Sequence, residues 1–143
     1  MTIKQVSVFA ENRSGGILDV IQALGSAQVD IRALSVADTQ GFGILRLIVD
    51  DVEKAKNVLT ENGTIFSITE VVGVKVSDTP GGLSRVLSLL AEHTINVEYL
   101  YAFVSVSGSS AYVVLRVQDN DEAIRVLTEG GIELVSEGDI AAL

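Results

Sequence analysis

Asn12-Arg13-Ser14-Gly15-Gly16-Ile17 returns 66 residues later as Asp78-Thr79-Pro80-Gly81-Gly82-Leu83, and Val58-Leu59-Thr60-Glu61-Asn62-Gly63 returns 68 residues later as Val126-Leu127-Thr128-Glu129-Gly130-Gly131. Two residues were gained between these landmarks in the second copy. The 143-residue chain therefore reads as a tandem duplication, with repeat 1 over residues 1–70 and repeat 2 over 71–143. Each unit is small for a domain and buries a modest core, so packing on further surface is expected.

The Gly-Gly turns sit between an apolar strand and an amphipathic helix. Val6, Val8 and Ala10 alternate with Gln5 and Ser7 in a first strand. Ile17, Val20, Ile21 and Leu24 then follow the i, i+3, i+4, i+7 spacing of a helix with one buried stripe, repeated as Leu83, Val86, Leu87 and Leu90. Residues 29–36 and 44–49 read as two strands joined around Asp38-Thr39-Gln40-Gly41. Residues 95–106 and 111–117 read likewise, around Ser107-Gly108-Ser109-Ser110. A second helix opens on Asp50-Asp51, acids that suit the positive helix end, and stops at Asn62-Gly63, as its counterpart stops at Gly130-Gly131. Residues 65–72 and 132–135 are the last strands. Each unit is thus β-α-β-β-α-β, an α+β, ferredoxin-like pattern of four antiparallel strands with both helices on one face.

Val97, Tyr99, Tyr101 and Phe103 alternate with Leu100, Ala102 and Val104, so both faces of this strand are apolar. A half-solvated sheet would not carry that pattern, and cover by the other repeat or by a second subunit is expected, with a homodimer as the assembly.

Composition narrows the function classes. Lys and Arg number 10 against 19 Asp and Glu, and a formal charge of −9 opposes a nucleic-acid backbone. The absence of cysteine removes disulfides and thiolate metal sites. Met1-Thr2-Ile3-Lys4-Gln5-Val6 lacks the apolar core of a signal peptide and no apolar run reaches membrane-spanning length, so a soluble cytoplasmic protein without a membrane partner is expected. No G-x-S-x-G or G-x-x-x-x-G-K-[ST] motif is present, and Gly41-Phe42-Gly43 lies between strands, away from any dinucleotide fingerprint. His93, the only histidine, follows Glu92 at a helix end and reads as a surface residue. Asp119-Asn120-Asp121-Glu122 reads as a solvated helix start, since it lacks EF-hand spacing. No cofactor and no catalytic residue is expected.

With six elements repeated in order, the chain resembles a tandem pair of ACT domains, the amino-acid-sensing module of many metabolic enzymes. Asp78-Thr79-Pro80-Gly81-Gly82-Leu83 is similar to the family loop D-x-P-G-x-L, and Ala10-Glu11-Asn12-Arg13-Ser14-Gly15 to the H-x-N-x-P-G loop of serine-sensing regulatory domains. The resemblance implies a stand-alone regulatory protein that binds an amino acid or similar small carboxylate between ACT units and acts on an enzyme partner. Ser14 stands where the family usually has Pro, and Ala10 where the serine-sensing loop has His, so serine selectivity is not implied.

The atoms of such a loop suit a zwitterion. Amides of Gly15, Gly16 and Ile17, or of Gly81, Gly82 and Leu83, would meet a carboxylate at the helix N-terminus. Asn12 or Asp78 would accept from an ammonium group. Asp30 before Ile31, and Asn96 before Val97, match the family position that reaches a ligand from a neighbouring unit. Arg46 and Arg116, near the centres of their strands, would pair with a carboxylate or simply lie on a solvated face. The loop residues also have a purely structural reading, in which Ser14, Asp78 and Thr79 cap helices, Pro80 sets the first turn and the glycines serve a tight connection. A protein–protein assembly module without a small ligand is the alternative function.

Overall fold

In the N-terminal half, β1 (Ile3–Glu11), α1 (Gly16–Ser26), β2 (Ile31–Asp38), β3 (Phe42–Val49) and α2 (Val52–Glu61) lead into β4 (Phe66–Ser77). The second half repeats them as α3 (Gly82–Glu92), β5 (Val97–Ala102), β6 (Ser110–Val117), α4 (Asn120–Glu129) and β7 (Glu133–Leu134), followed by α5 (Glu137–Ala142). The structure is a computed structural model and describes residues 1–38, 41–104, 108 and 110–143. Parts of both expected hairpin turns, Thr39-Gln40 and Ser107 with Ser109, and the end of the strand expected over 95–106 lie outside the described residues.

The chain divides into two compact units, Lys4–Thr69 and Met1–Ile3 with Glu70–Leu143. In the first, strand order is β2-β3-β1-β4. Antiparallel register sets Val8 opposite Leu45 and Ala10 opposite Gly43, and on the other side of β3 sets Val36 opposite Leu45 and Asp38 opposite Gly43. Val6, Val8, Leu45 and Leu47 share a core with Val20 and Leu24 of α1 and Ala55 and Leu59 of α2, so both helices cover one face. In the second unit the order is β5-β6-β4-β7, and Val72, Val74, Leu115 and Val117 pack with Val86, Leu90, Ala123 and Leu127.

Helix ends follow local chemistry. Asp51 and Asp119 cap α2 and α4 by accepting from the Lys54 and Glu122 backbone N–H groups at 3.0 and 3.1 Å. Both helices close through a left-handed glycine, Gly63 and Gly131. α1 and α3 close through left-handed Gln28 and Thr94, whose following residues, Val29 and Ile95, donate back to Leu24 and Leu90. This closure delays β2 to Ile31 and β5 to Val97, two residues later than the sequence pattern indicates.

The last helix was not expected. Ser136 and Asp139 form a reciprocal capping box that starts α5, and Ile140 is buried. The strand expected over 132–135 is reduced to Glu133–Leu134, one further ladder bond from the Val135 N–H to the Gly73 carbonyl at 2.8 Å following before Ser136 opens α5. Asp139 meets Lys75 at 3.4 Å. Lys75 lies between core residues Val74 and Val76, so it leaves β4 on the face opposite α3 and α4.

On that helix-free side of the second unit, Tyr101, Phe103 and Tyr112 are buried, with Phe103 edge-on to Tyr112 at 5.7 Å. In the first unit Gln5 and Ser7 are buried and hydrogen-bonded to each other at 3.0 Å. Among the described residues, no helix is long and apolar enough to cross a membrane.

Candidate functional site

The strand-to-helix loops are built around their glycine pairs. Gly15 and Gly81 adopt left-handed φ values of 83° and 87° at the N-cap positions of α1 and α3. Gly16 and Gly82 are required for a different reason. A Cβ at Gly16 would lie 2.3 Å from the Glu11 carbonyl oxygen, and one at Gly82 would lie 2.1 Å from that of Ser77. The second glycine thus lets the helix start against the backbone of the strand that precedes it.

This geometry corrects part of the expected amide array. The Gly16 N–H donates to the Arg13 carbonyl and the Gly82 N–H to that of Thr79, both at 3.1 Å, so neither points at a ligand. Ile17 and Leu18 remain as first-turn N–H groups of α1 with no acceptor among the described residues. Neither helix has a side-chain N-cap bond, so Ser14, Asp78 and Thr79 do not cap them. The Thr79 hydroxyl instead lies 2.9 Å from that of Ser77, and the Ser14 carbonyl accepts from Arg13 at 3.2 Å.

Beside the first loop lies a cavity of about 210 Å³. Its floor is one row of the sheet, Ala10, Gly43 and Asp38, with Leu45 and Val36 in the next row. Glu11, Asn12, Arg13 and Ile17 complete the lining. The space exists because the row presents a methyl group, no side chain and a short acid where larger residues would close it. Leu45 and Ala10 are buried and Asp38 is exposed, so the cavity is apolar at depth and charged at its mouth.

Asn12 is tied in twice. Its amide nitrogen lies 3.4 Å from Asp38 Oδ1, and its backbone N–H donates to the Gly41 carbonyl at 3.3 Å. Arg13 donates to Glu11 Oε2 at 2.9 Å and Asp19 Oδ2 at 3.0 Å, and these acids, Asp19 first, raise its pKa above the usual arginine value. The guanidinium is fixed in place at the rim, where it offsets two carboxylates. Together the mouth holds an acceptor pair, Asp38 and the Asn12 side chain, opposite the first turn of α1.

Asp38 was not among the residues expected at this cavity, since it stands 26 residues from Asn12. Strand order was the available signal, because an antiparallel β2-β3-β1 arrangement brings the end of β2 and the end of β1 to the same edge.

Asp30 and Ile31 are not part of this cavity. They stand at the other end of β2, about 23 Å away at ~3.3 Å per residue. Asp30 pairs with Arg32 and its N–H donates to Asp50 at 2.9 Å. Asn96 and Val97 are likewise at the end of their sheet away from Asp78, Pro80, Gly81 and Leu83. Asn96 lines a separate cavity of about 280 Å³ with His93, Glu98, Asp119 and Glu122. Exposed His93 meets the Leu89 carbonyl at 2.9 Å through Nδ1. Arg116 pairs with Glu98 at 3.6 Å and donates to the Glu70 carbonyl at 3.3 Å, while Arg46 lies between Ser7 and Ser35 in the sheet register. No group of three or more His, Cys, Asp or Glu among the described residues is arranged to hold a metal ion.

A model of the ACT domain pair matches residues 1–143, and the chain belongs to that family. The structure aligns with that of protein BT0572 from Bacteroides thetaiotaomicron at 36% identity, covering 100% of this chain and 98% of the other with a TM-score of 0.92. It also aligns with the ligand-free regulatory subunit of aspartate kinase from Thermus thermophilus (16% identity, 89% and 91% of the two chains, TM-score 0.59). The corresponding subunit from Thermus flavus matches at 16% identity over 90% and 92%, with a TM-score of 0.54. At these identities the likeness to the two kinase subunits concerns the fold. No curated protein matches the sequence significantly.

Proposed function

We propose that this protein is a regulatory, non-catalytic module that binds a free amino acid, or a similar small carboxylate, in the cavity beside the Asn12–Ile17 loop. The observation that carries the reading is the coincidence of that cavity with opposed recognition groups. The ligand ammonium meets Asp38 and the Asn12 side-chain oxygen, and its carboxylate meets the Ile17 and Leu18 N–H groups at the positive end of α1. At about 210 Å³, the space lies below the ~300 Å³ lower bound of drug-sized pockets and suits a small metabolite. In an assembly of several copies, Asp30 and Asn96 are the residues a neighbouring unit would add.

A regulatory role requires the ligand to prefer one state of the protein, either an assembly or a complex with an enzyme partner. The shared fold with regulatory subunits of aspartate kinase supports that role. Edge strand β2 exposes Leu34 and Val36 and edge strand β5 exposes Leu100, which favours homodimer formation and supports, as the second reading, an assembly module. Thermal unfolding with each of the twenty amino acids separates the two. A ligand at 100 times its Kd adds about 2.7 kcal/mol to the folded state. A shift confined to one chemical class supports the sensor, and a flat panel supports the assembly module.

A further inference from the structure

The polarity of the cavity changes with depth, and a glycine, Gly43, stands in the row of its floor that Asp38 carries to the mouth, one row short of buried Leu45. Leu45 is fully buried and Ala10 nearly so, while the charged groups Glu11, Arg13 and Asp38 are all at the mouth. A Cβ built on Gly43 would meet only the Ala37 carbonyl oxygen at 3.6 Å and Val36 Cγ1 at 3.7 Å, ordinary contacts, so the backbone here does not require glycine. Nor is the Gly43 φ in the left-handed region. What the missing side chain does provide is room beside Ala10 and Asp38.

The second repeat shows the alternative. Its row has Val76 opposite Ala111, at the positions of Ala10 and Gly43, and Val104 stands where Asp38 does. There a methyl group enters the floor and the acid at the mouth is gone.

From this contrast, and resting on the amino-acid-binding reading above, we infer that Gly43 is a specificity-determining position: the ligand is an aliphatic amino acid whose side chain enters the space left by Gly43, between Ala10, Val36 and Leu45. Past Gly43 the end of the side chain meets the buried row of Leu45 and the methyl of Ala10, where a charge has no partner, which is strongly unfavourable. The charged head group stays at the mouth, where Asp38, Asn12 and the first turn of α1 meet it.

The test is titration calorimetry of the full chain and of Gly43→Ala with glycine, alanine, valine, leucine, aspartate and lysine. The wild-type protein is expected to bind valine and leucine and to reject aspartate and lysine. Gly43→Ala is expected to weaken leucine about tenfold or more, the effect of one methyl group in a close-fitting pocket, and to weaken alanine much less. Tighter binding of aspartate or lysine than of leucine overturns the inference while leaving an amino-acid site in place, as does an equal loss for alanine and leucine. Binding of none of the six overturns it together with the reading it rests on. Val36→Leu, which enlarges an exposed side chain at the same wall, provides a second narrowing that does not depend on the strand tolerating a change at Gly43, and the same size-graded loss is expected from it.

Discussion

Asp38 Oδ1 lies 3.4 Å from the Asn12 amide nitrogen, so the end of β2 and the loop after β1 meet at one point through two exposed side chains. Exposed polar residues of this kind contribute little to stability, usually within about 0.5 kcal/mol. Asp38→Asn keeps the shape and removes the charge that would meet an ammonium group. Amino-acid affinity is expected to fall between tenfold and a hundredfold, as for a hydrogen bond to a charged group worth about 1.5–3 kcal/mol, while the unfolding midpoint stays unchanged. Calorimetry and denaturant unfolding of the same variant check both halves.

The two repeats are not equivalent at the positions that line the cavity. Val104 replaces Asp38, Thr79 replaces Arg13 and Ala111 replaces Gly43. One ligand per chain is the expected stoichiometry, and Asp78→Ala is expected to leave affinity unchanged within about twofold. Calorimetric titration gives both numbers, and two equivalent sites per chain would contradict the asymmetry.

Gly16→Ala and Gly82→Ala place a methyl group against a backbone carbonyl that has no room to yield. Each is expected to destabilise its unit by about 3 kcal/mol or more, whereas Gly43→Ala stays within about 1 kcal/mol. Urea unfolding followed by circular dichroism ranks the three.

Much of this fold was legible in the sequence, and the parts that were not have physical causes. The paired Gly-Gly loops and the stripes Ile17–Leu24 and Leu83–Leu90 announced six elements twice over, because both signals are local. The roles of the two glycines were not separable, since the clash that excludes a Cβ at Gly16 comes from Glu11, five residues back. α5 left almost no signal: it has six residues, and Gly138 weakens its helix propensity. The lining of the cavity was half legible. Asn12, Arg13 and Ile17, read from the loop, line it, but Asp38 reaches them only through strand order, and the Gly16 amide is engaged with the Arg13 carbonyl.

Asp139 gives the protein an acid-sensitive element. The Ser136 backbone N–H, foremost, and then the Ser136 hydroxyl and Lys75 hold its carboxyl below the ordinary value of 3.8, against the opposing effect of burial. Because the folded-state pKa is depressed, the stabilisation is complete above the ordinary value and is lost as pH falls through the lower one. Asp139→Asn is expected to be less stable than wild type at pH 7, with the gap closing as the pH drops below about 3.8. Unfolding curves between pH 7 and pH 2 measure it.

Thr94 closes α3 with φ at 58°, a conformation that a β-branched residue adopts at a cost. Asparagine tolerates it better, so Thr94→Asn is expected to stabilise the protein by about 0.5–1 kcal/mol. A lower denaturation midpoint would show that the threonine side chain has another role.

A small amino acid held beside the first loop would change the environment of its backbone amides, and their chemical shifts report that location directly. In a heteronuclear NMR titration with valine or leucine, the largest shifts are expected at Asn12, Ile17, Leu18, Asp38 and Gly43, with the amides of Gly81 to Leu83 unmoved. Shifts confined to the second loop, or none at millimolar ligand, would contradict it.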